Sequence, residues 1–291
     1  MTAADDTQSG VRKAATGSGW PVLRGKRLGL LALLTALVVV VAVAAITTGD
    51  RGRHLVGWNL LFSEDFDASS LDPGRWNAQD LPSPRNNELQ YYAPKNIEVD
   101  RSQLRLTAER ERFRGRDYSS AAVDTHNKFS FTYGRVEIRA RLPVMGQGIW
   151  PALWMLGNGC NPVGDPCPWP TQDANEIDIL ESTNAPTMLY NDSHHGTQMG
   201  QSLSPGPCQR DVEDMSQDFH TFALEWEAGG VLRWYLDGEQ VCKRQIPGYF
   251  ETPMYLFLNV AVGGDLPGPV ADDTAFPQQF AIDHVRVYQR T

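Results

Sequence analysis

Beyond residue 50 the sequence lacks a long hydrophobic stripe with helical spacing, an internal repeat and a low-complexity segment. These absences argue against an α-helical fold, a solenoid and a disordered chain. Basic residues are also scarce in the body. Residues 1–27 hold five of the 26 Lys and Arg but only two of the 35 Asp and Glu, which leaves the remainder with a net charge of −12. So acidic a body argues against nucleic acid as a partner.

Cysteine is rare as well. The four cysteines are Cys160, Cys167, Cys208 and Cys242, and the absence of a Cys-x-x-Cys pair argues against a zinc site. An even number of cysteines is typical of an oxidising compartment outside the cytoplasm. Three pairings are open. Because Cys160 and Cys167 bracket the loop CNPVGDPC, we predict the disulfides Cys160–Cys167 and Cys208–Cys242.

One apolar run stands near the N-terminus. Residues 28–46, LGLLALLTALVVVVAVAAI, are 19 in number, close to the ~20 that a helix needs to cross a bilayer. Five basic residues precede the run, so we expect the N-terminus to stay in the cytoplasm. The run is either a single anchor in the cell membrane, which the 27-residue leader favours, or a signal peptide cut near Ala44. Both interpretations place the body outside the cytoplasm.

The body shows period-two alternation of apolar and polar residues, which is typical of half-buried strands. Clear examples are LRLTAER (104–110), RVEIRARL (135–142), FALEWE (222–227) and LRWYLD (232–237). Asp237-Gly238 and Gly229-Gly230 mark turns between strands. We predict an all-β fold, a jelly-roll sandwich of two antiparallel sheets with a concave cleft, preceded by one N-terminal transmembrane helix. The predicted divisions are a disordered cytoplasmic tail (1–27), the membrane or signal segment (28–46), a linker (47–57) and one large domain (58–291).

The stretch NEIDILES places three carboxylates within six residues. In a regular strand Glu176 and Asp178 share one face, whereas Glu181 points to the other. A β-bulge after Asp178 would return Glu181 to the face of the first two acids. The preceding segment carries Trp150 and Trp154 on one side of an extended chain, and a face that combines indole rings with carboxylates suits a carbohydrate.

Paired carboxylates of this kind perform glycoside hydrolysis. One ionised carboxylate attacks the anomeric carbon, and a second, whose pKa is raised by its neighbour and by desolvation, protonates the leaving oxygen. Two alternatives remain from the residues alone. The acids could lie on a solvated strand edge, although Ile177, Ile179 and Leu180 do not suit that position. They could also bind calcium, although calcium loops normally contain Gly and Asn turns.

Several segments, in order, resemble glycoside hydrolase family 16, and specifically its laminarinase-like branch of endo-β-1,3-glucanases. NEIDILES resembles the Glu-x-Asp-x-x-Glu signature of that branch, which contains the bulge. The other similar segments are NNELQYY (86–92), YGRVEIRARLP (133–143), GIWPALWMLG (148–157), HTFALEW (220–226), PMYLFLNVAVGG (253–264) and FAIDHVRVYQR (280–290). The resemblance covers residues 58–291 and implies that they form the catalytic domain.

The resemblance implies a role for each acid and for several binding residues. Glu176 would be the nucleophile, Asp178 the assisting acid and Glu181 the general acid/base. The implied substrate-binding residues are Asn87 and Arg135 on the non-reducing side, Trp150 and Trp154 nearest the cut bond, His195 beside the acid/base with His194 turned outward, and Asn259. An insertion at 158–174 departs from the family pattern, and we expect it to present Trp169 to the substrate.

The resemblance also bears on metals and partners. A structural calcium would use Asp65 and Asp283, whereas catalysis would need no cofactor. The expected partners are a β-glucan and, through the N-terminal helix, the membrane, and we expect a monomer. Two alternatives to hydrolysis stay open: a transglycosylase that remodels β-glucan, and a β-glucan-binding protein without turnover.

Overall fold

The structure is a computed structural model that describes residues 55–83, 85–160, 169, 174–196, 202–246 and 251–291. The described residues belong to one compact unit, Leu55–Thr291. Within them, no helix has the length and apolar character needed to cross a membrane. The predicted tail 1–27, membrane segment 28–46 and most of the linker 47–57 lie outside the described residues, so these divisions stay predictions.

The described residues form 19 strands and one short 3₁₀ helix, η1 Pro94–Asn96. In chain order the strands are β1 Trp58–Glu64, β2 Asn77–Ala78, β3 Leu81–Pro82, β4 Gln90–Tyr92, β5 Ile97–Val99, β6 Leu104–Ala108, β7 Tyr118–Ser120, β8 Ala122–Asp124, β9 Gly134–Arg141, β10 Ile149–Gly157, β11 Glu176–Glu181, β12 Met188–Gly196, β13 Ser202–Leu203, β14 Cys208–Asp211, β15 His220–Glu227, β16 Val231–Leu236, β17 Glu239–Gln245, β18 Met254–Val262 and β19 Gln278–Arg290.

The strands build two large antiparallel sheets. One sheet, called here the cleft sheet, has the order β13-β12-β11-β10-β18-β8-β2, with β14 paired to β12. The other, called the opposite sheet, has the order β17-β16-β15-β9-β19-β6-β5, with β1 paired to β19. Strands β3, β4 and β7 form a third, small sheet. The predicted all-β sandwich of antiparallel sheets is confirmed.

The core lies between the two large sheets, and several strands bury alternate side chains against it. In β9, Val136, Ile138 and Ala140 are buried, while Arg135 and Arg139 between them point outward. β18 differs, since all nine of its residues are buried. It is therefore covered on both faces, as expected for a strand in the middle of the cleft sheet.

The predicted turns occur where glycine is required. Asp237 and Gly238 have φ values of 50° and 86° and join β16 to β17, which matches the hairpin signal. Gly230 has a φ of 82°, and a Cβ there would lie 2.3 Å from the carbonyl oxygen of Ile246. Only glycine fits such an approach.

One disulfide connects the two sheets. Cys208 in β14 bonds to Cys242 in β17, as predicted, with their Cα atoms 6.1 Å apart. The bond therefore joins the edge of the cleft sheet to the edge of the opposite sheet. Cys160 is buried and also disulfide-bonded. Cys167 lies outside the described residues, so the pairing Cys160–Cys167 stays a prediction.

Candidate active site

The predicted bulge is present in β11. Its register with β12 shifts between Asp178, which faces Asp192, and Glu181, which faces Tyr190. The register with β10 shifts at the same place, because Leu180 pairs with Leu153 and Asp178 with Trp154. One extra residue therefore lies between Asp178 and Glu181, and it turns Glu181 back to the face of the other two acids.

One side chain from the opposite sheet and one from the neighbouring strand β12 satisfy the backbone carbonyls at the bulge. The indole Nε1 of Trp234 in the opposite sheet donates to the carbonyl oxygen of Asp178 at 2.8 Å. The Nδ2 of Asn191 in β12 donates to the carbonyl oxygen of Ile179 at 2.6 Å. Ile179 and Leu180 are both buried in the core. Because an irregular ladder leaves buried carbonyls without strand partners, these two donors stabilise the bulged conformation.

The three acids line a cleft that is open to solvent. The wall residues are mostly aromatic and polar: Leu81, Ser83, Arg85, Asn86, Glu88, Tyr92, Trp150, Ala152, Trp154, Trp169, Glu176, Asp178, Glu181, Phe257, Asn259 and Ala261. The cleft thus combines stacking surfaces with hydrogen-bonding groups, as carbohydrate recognition requires.

Burial raises the pKa of all three acids, and the charges of neighbouring carboxylates, Asp192 among them, add to the effect. Desolvation is the largest cause in each case. The negative charge of Glu181 further raises the pKa of Glu176 and of Asp178. The charge of Arg85 and a hydrogen bond from Trp169 act in the opposite direction on Glu176. A group of carboxyls that cannot all ionise retains a proton near neutral pH, which is the requirement for acid catalysis.

Both predicted cleft tryptophans form polar contacts in the site. The indole Nε1 of Trp150 donates to Oε1 of Glu181 at 3.0 Å and lowers the pKa of that carboxyl. The Nε1 of Trp154 donates to Oδ1 of Asn259 at 2.8 Å, which brings Asn259 to the cleft as predicted. Trp169 remains 39% exposed and lies at the cleft, as the insertion suggested. Its ring centre is 5.4 Å from that of His194.

The two histidines exchange their predicted positions. Nε2 of His194 lies 3.6 Å from Oδ2 of Asp178 and 3.6 Å from Oδ2 of Asp192. Because successive residues of a strand alternate, His195 points to the other face, and only 5% of its surface is exposed. The prediction that His195 lies beside the acids with His194 turned outward was therefore wrong. Burial lowers the pKa of both imidazoles.

Two predicted sugar ligands lie elsewhere. Arg135 belongs to β9 of the opposite sheet, where it forms ion pairs with Glu137 at 2.7 Å and with Glu225 at 2.9 Å. It points away from the core, so its predicted contact with the substrate is incorrect. The exposed Asn87 donates to Oδ1 of Asp265 at 2.8 Å and is not among the residues that line the cleft.

Other residues close to Asn87 in the chain line the cleft instead. Arg85 and Asn86 both line the cleft, and Arg85 acts electrostatically on Glu176. Glu88 and Tyr92 line it as well. All but Arg85 lie within NNELQYY, so the motif predicted the loop that reaches the cleft, although Asn87 itself is not among the lining residues.

The residues available to metals differ from the prediction. Asp65 is paired with Arg286, and Asp283 lies 3.4 Å from Arg139 and 2.9 Å from His284. A calcium ion at these acids would have to displace those partners, and the calcium site stays a prediction. Within the described residues, Glu176, Asp178 and His194 are the group whose ligand atoms lie within 4.8 Å of one another. Glu176 and Asp178 line the cleft, and His194 lies beside Asp178.

Comparison with known proteins finds several relatives. Beta-glucan synthesis-associated proteins SKN1/KRE6/Sbg1 form a family that matches residues 41–170. A beta-glucanase of Rhodothermus marinus is 36% identical over 88% of this chain and 94% of its own length. Glucan endo-1,3-beta-glucosidase A1 of Niallia circulans is 30% identical over 81% of this chain, which corresponds to 38% of that longer protein. Beta-glucan synthesis-associated protein SKN1 of Saccharomyces cerevisiae is 34% identical over 35% of the chain and 14% of its own length.

Solved structures agree in fold. The catalytic domain of an endo-1,3-beta-glucanase (laminarinase) from Thermotoga petrophila superimposes with a TM-score of 0.69 at 36% identity, covering 80% of this chain and 98% of that one. A LamA protein of Z. galactanivorans, solved with laminaritriose and laminaritetraose, has a TM-score of 0.69 at 32% identity and covers 79% and 99%.

Proposed function

Because the chain belongs to glycoside hydrolase family 16, in its laminarinase-like branch, we propose that it hydrolyses internal β-1,3-glucosidic bonds of laminarin-type glucans. We further propose that the anomeric configuration is retained through a covalent intermediate. The observation that carries the proposal is the bulged strand β11, which aligns Glu176, Asp178 and Glu181 on the floor of an aromatic cleft. The linkage is inferred from the relatives, two of which are named for the β-1,3 bond.

In the first step the carboxylate of Glu176 attacks the anomeric carbon, and a glycosyl–carboxylate bond forms as the glycosidic C–O bond breaks. The departing oxygen takes the proton of Glu181. Burial raises the pKa of Glu176 to about 8, against Arg85 and Trp169, and that of Glu181 to about 7, against Trp150. The division of roles between the two therefore follows the family signature and not these pKa values. Asp178 lies between the two, and burial together with the charges of Glu181 and Glu176 raises its pKa well above the ordinary value.

In the second step a water molecule enters where the leaving sugar departed. Glu181, now ionised, removes a proton from that water, and the oxygen forms a bond with the anomeric carbon. The glycosyl–Glu176 bond breaks, so Glu176 is again a carboxylate and Glu181 again carries a proton. Two inversions at the same carbon give net retention.

A transglycosylase is the second candidate, and a specific observation favours it. The family of β-glucan synthesis-associated proteins matches residues 41–170, and a yeast protein with that description is 34% identical over 110 residues. Transfer shares the first step and differs only when a sugar hydroxyl takes the place of water. A β-glucan-binding protein without turnover is less well supported, because all three acids are present in the cleft.

The location is also a proposal. We infer a cell-membrane protein anchored by residues 28–46, with its N-terminus in the cytoplasm and its catalytic domain outside, or a secreted form cut near Ala44. The Cys208–Cys242 disulfide supports an oxidising compartment. Protease treatment of intact cells should digest residues 58–291 of an anchored form. Resistance of the domain until the cells are lysed would contradict this location.

The decisive experiment incubates the full chain in detergent with laminarin, mixed-linkage β-glucan, agarose and xyloglucan. We expect internal cleavage of laminarin, with the β-anomer appearing first by proton NMR. Products longer than the starting oligosaccharide would indicate transfer, and intact laminarin would refute the substrate.

Matched variants test the roles of the acids. Glu176→Gln and Glu181→Gln are expected to lose about 10³-fold or more of the activity with their folds intact. Glu98→Gln changes a glutamate whose side chain is 61% exposed on β5 and should keep wild-type activity. Wild-type turnover in either active-site variant would refute the assignment.

A further inference from the structure

A buried carboxylate at the wall of the cleft has no part in the two chemical steps. Glu88 is only 9% exposed. Its Oε2 accepts hydrogen bonds from the hydroxyl of Ser83 at 2.7 Å, from Nε2 of Gln90 at 2.6 Å and from the hydroxyl of Tyr92 at 3.2 Å. Its Oε1 accepts from Nδ2 of Asn86 at 3.3 Å. Four donors thus converge on one side chain.

From this carboxylate a chain of hydrogen bonds leads to a cleft tryptophan. The hydroxyl of Tyr92 accepts from Nδ2 of Asn259 at 3.1 Å, and Oδ1 of Asn259 accepts from the indole of Trp154 at 2.8 Å. The Trp154 ring also packs on Phe257, with ring centres 4.7 Å apart. The path therefore runs from Trp154 through Asn259 and Tyr92 to Glu88.

The direction of every bond in this path is determined by chemistry. An indole N–H only donates, and the four groups around Glu88 all donate to its carboxyl oxygens. Trp154 must therefore face the carbonyl oxygen of Asn259, whose amide nitrogen is left to donate to Tyr92. The hydroxyl proton of Tyr92 is in turn left for Glu88. The indole N–H thus fixes the orientation of the Asn259 amide and of the Tyr92 hydroxyl, and Glu88 accepts at the end of the path.

We propose that Glu88 is a positioning residue. Through Tyr92 and Asn259 it orients the indole of Trp154, and by its own hydrogen bond it holds Asn86 against the cleft. That the ligand of the cleft is a glucan chain is taken from the proposed function. Glu88 does not touch the reacting atoms. Its effect is exerted through the walls that contact the sugar rings nearest the cut bond.

The loop backbone is held by other groups, so the carboxylate is not needed to retain the loop. The amide of Leu89 donates to the carbonyl of Val262 at 2.8 Å, and the amide of Asp265 donates to the carbonyl of Asn86 at 2.8 Å. Arg116 also donates to the carbonyl oxygens of Ser83 and Glu88. Removal of the path should therefore change substrate binding more than folding.

A double-mutant cycle tests the proposal. Tyr92→Phe removes the hydroxyl that connects Asn259 to Glu88 and leaves the rings in place. We expect KM for laminarin to rise about tenfold with kcat little changed, because the hydrogen bond that orients Asn259 and Trp154 for substrate binding is lost. In a Trp154→Phe background, which already lacks the indole N–H, Tyr92→Phe should change KM less than twofold.

Two Glu88 variants extend the test. Glu88→Gln retains an acceptor oxygen and should recover most of the affinity that Glu88→Leu loses. If Tyr92→Phe does not fold, the same cycle is run with Glu88→Leu. Equal effects of either substitution in both Trp154 backgrounds, or an unchanged KM, would overturn the proposal. Glu98→Gln is the exposed control, expected to match the wild type.

A readout without substrate separates this proposal from the proposed function. The chain contains eight tryptophans, and in fluorotryptophan-labelled protein the Trp154 signal is the ¹⁹F resonance missing from Trp154→Phe. That resonance should shift in Tyr92→Phe and Glu88→Leu but not in Glu98→Gln. If the wild type failed to cleave laminarin while the resonance shifted, the substrate would be wrong and the positioning correct. An unmoved resonance would refute the positioning itself.

Discussion

Replacement of Glu181 by glutamine should stabilise the protein, although it abolishes the activity. Burial raises the pKa of Glu181 from its ordinary value of 4.5 to about 7, against the opposing hydrogen bond from Trp150. In the unfolded chain the same carboxyl ionises above pH 4.5. Folding therefore binds a proton between these two pH values, and the free energy of unfolding falls as the pH rises through that window.

Above pH 7, a pKa change of that size lowers the free energy of unfolding of the wild type by about 3 kcal/mol. A glutamine has no proton to lose, and its Oε1 can still accept from Trp150. Loss of the Glu181 charge also relieves the repulsion that raises the pKa of Glu176 and Asp178. For a domain of this length the expected gain in Tm is roughly 5–10 °C at pH 8. Below pH 4.5 both side chains are neutral, so the gain should vanish.

The assay is thermal and urea unfolding of the wild type, Glu181→Gln and the exposed control Glu98→Gln at pH 4 and pH 8. The control should stay within about 0.5 kcal/mol of the wild type at both pH values. A Glu181→Gln protein that is no more stable than the wild type at pH 8 would contradict burial as the source of the raised pKa. A gain of equal size at both pH values would do the same.

Three further predictions concern the bulge, the indole donor and the disulfide. Deletion of Ile179 should turn Glu181 away from the cleft and reduce laminarin cleavage by about 10³-fold or more, with cooperative unfolding retained; activity near the wild type would contradict the role of the bulge. Trp150→Phe removes the N–H that favours ionised Glu181, so the basic limb of the kcat/KM profile should move to higher pH, and a shift to lower pH would oppose the assignment. Cys208→Ser with Cys242→Ser opens a loop of 34 residues and should lower the free energy of unfolding by about 3–4 kcal/mol in urea, with dithiothreitol no longer affecting the stability of the variant.

The sequence predicted the parts of the site that depend on local alternation. Glu176, Asp178 and Glu181 could not share a face in a regular strand, so their spacing required the extra residue that β11 contains. Trp150 and Trp154 are likewise four residues apart on one strand. A period of two, interrupted once by the bulge in β11, is sufficient to predict which of these side chains point together.

The incorrect predictions concern residues whose position depends on contacts distant in the chain. Arg135 alternates as expected in β9, but the sequence does not state which sheet contains β9 or which face meets the substrate. His194 and His195 are adjacent, so an error of one residue in register exchanged their faces. Asn87 lies in a loop, where alternation gives no information, and its neighbour Asn86 lines the cleft instead.

The indole of Trp234 makes the active site dependent on a part of the protein that never meets the substrate. Trp234 lies 56 residues from Asp178 in the chain and belongs to the opposite sheet, yet it holds the carbonyl at the point where the catalytic strand is irregular. The separation between the sheets is thereby coupled to the direction of Glu181. Attempts to engineer thermostability by repacking the interior near Trp234 should therefore be screened for turnover as well as for Tm, since a better-packed interior could align the acids less well.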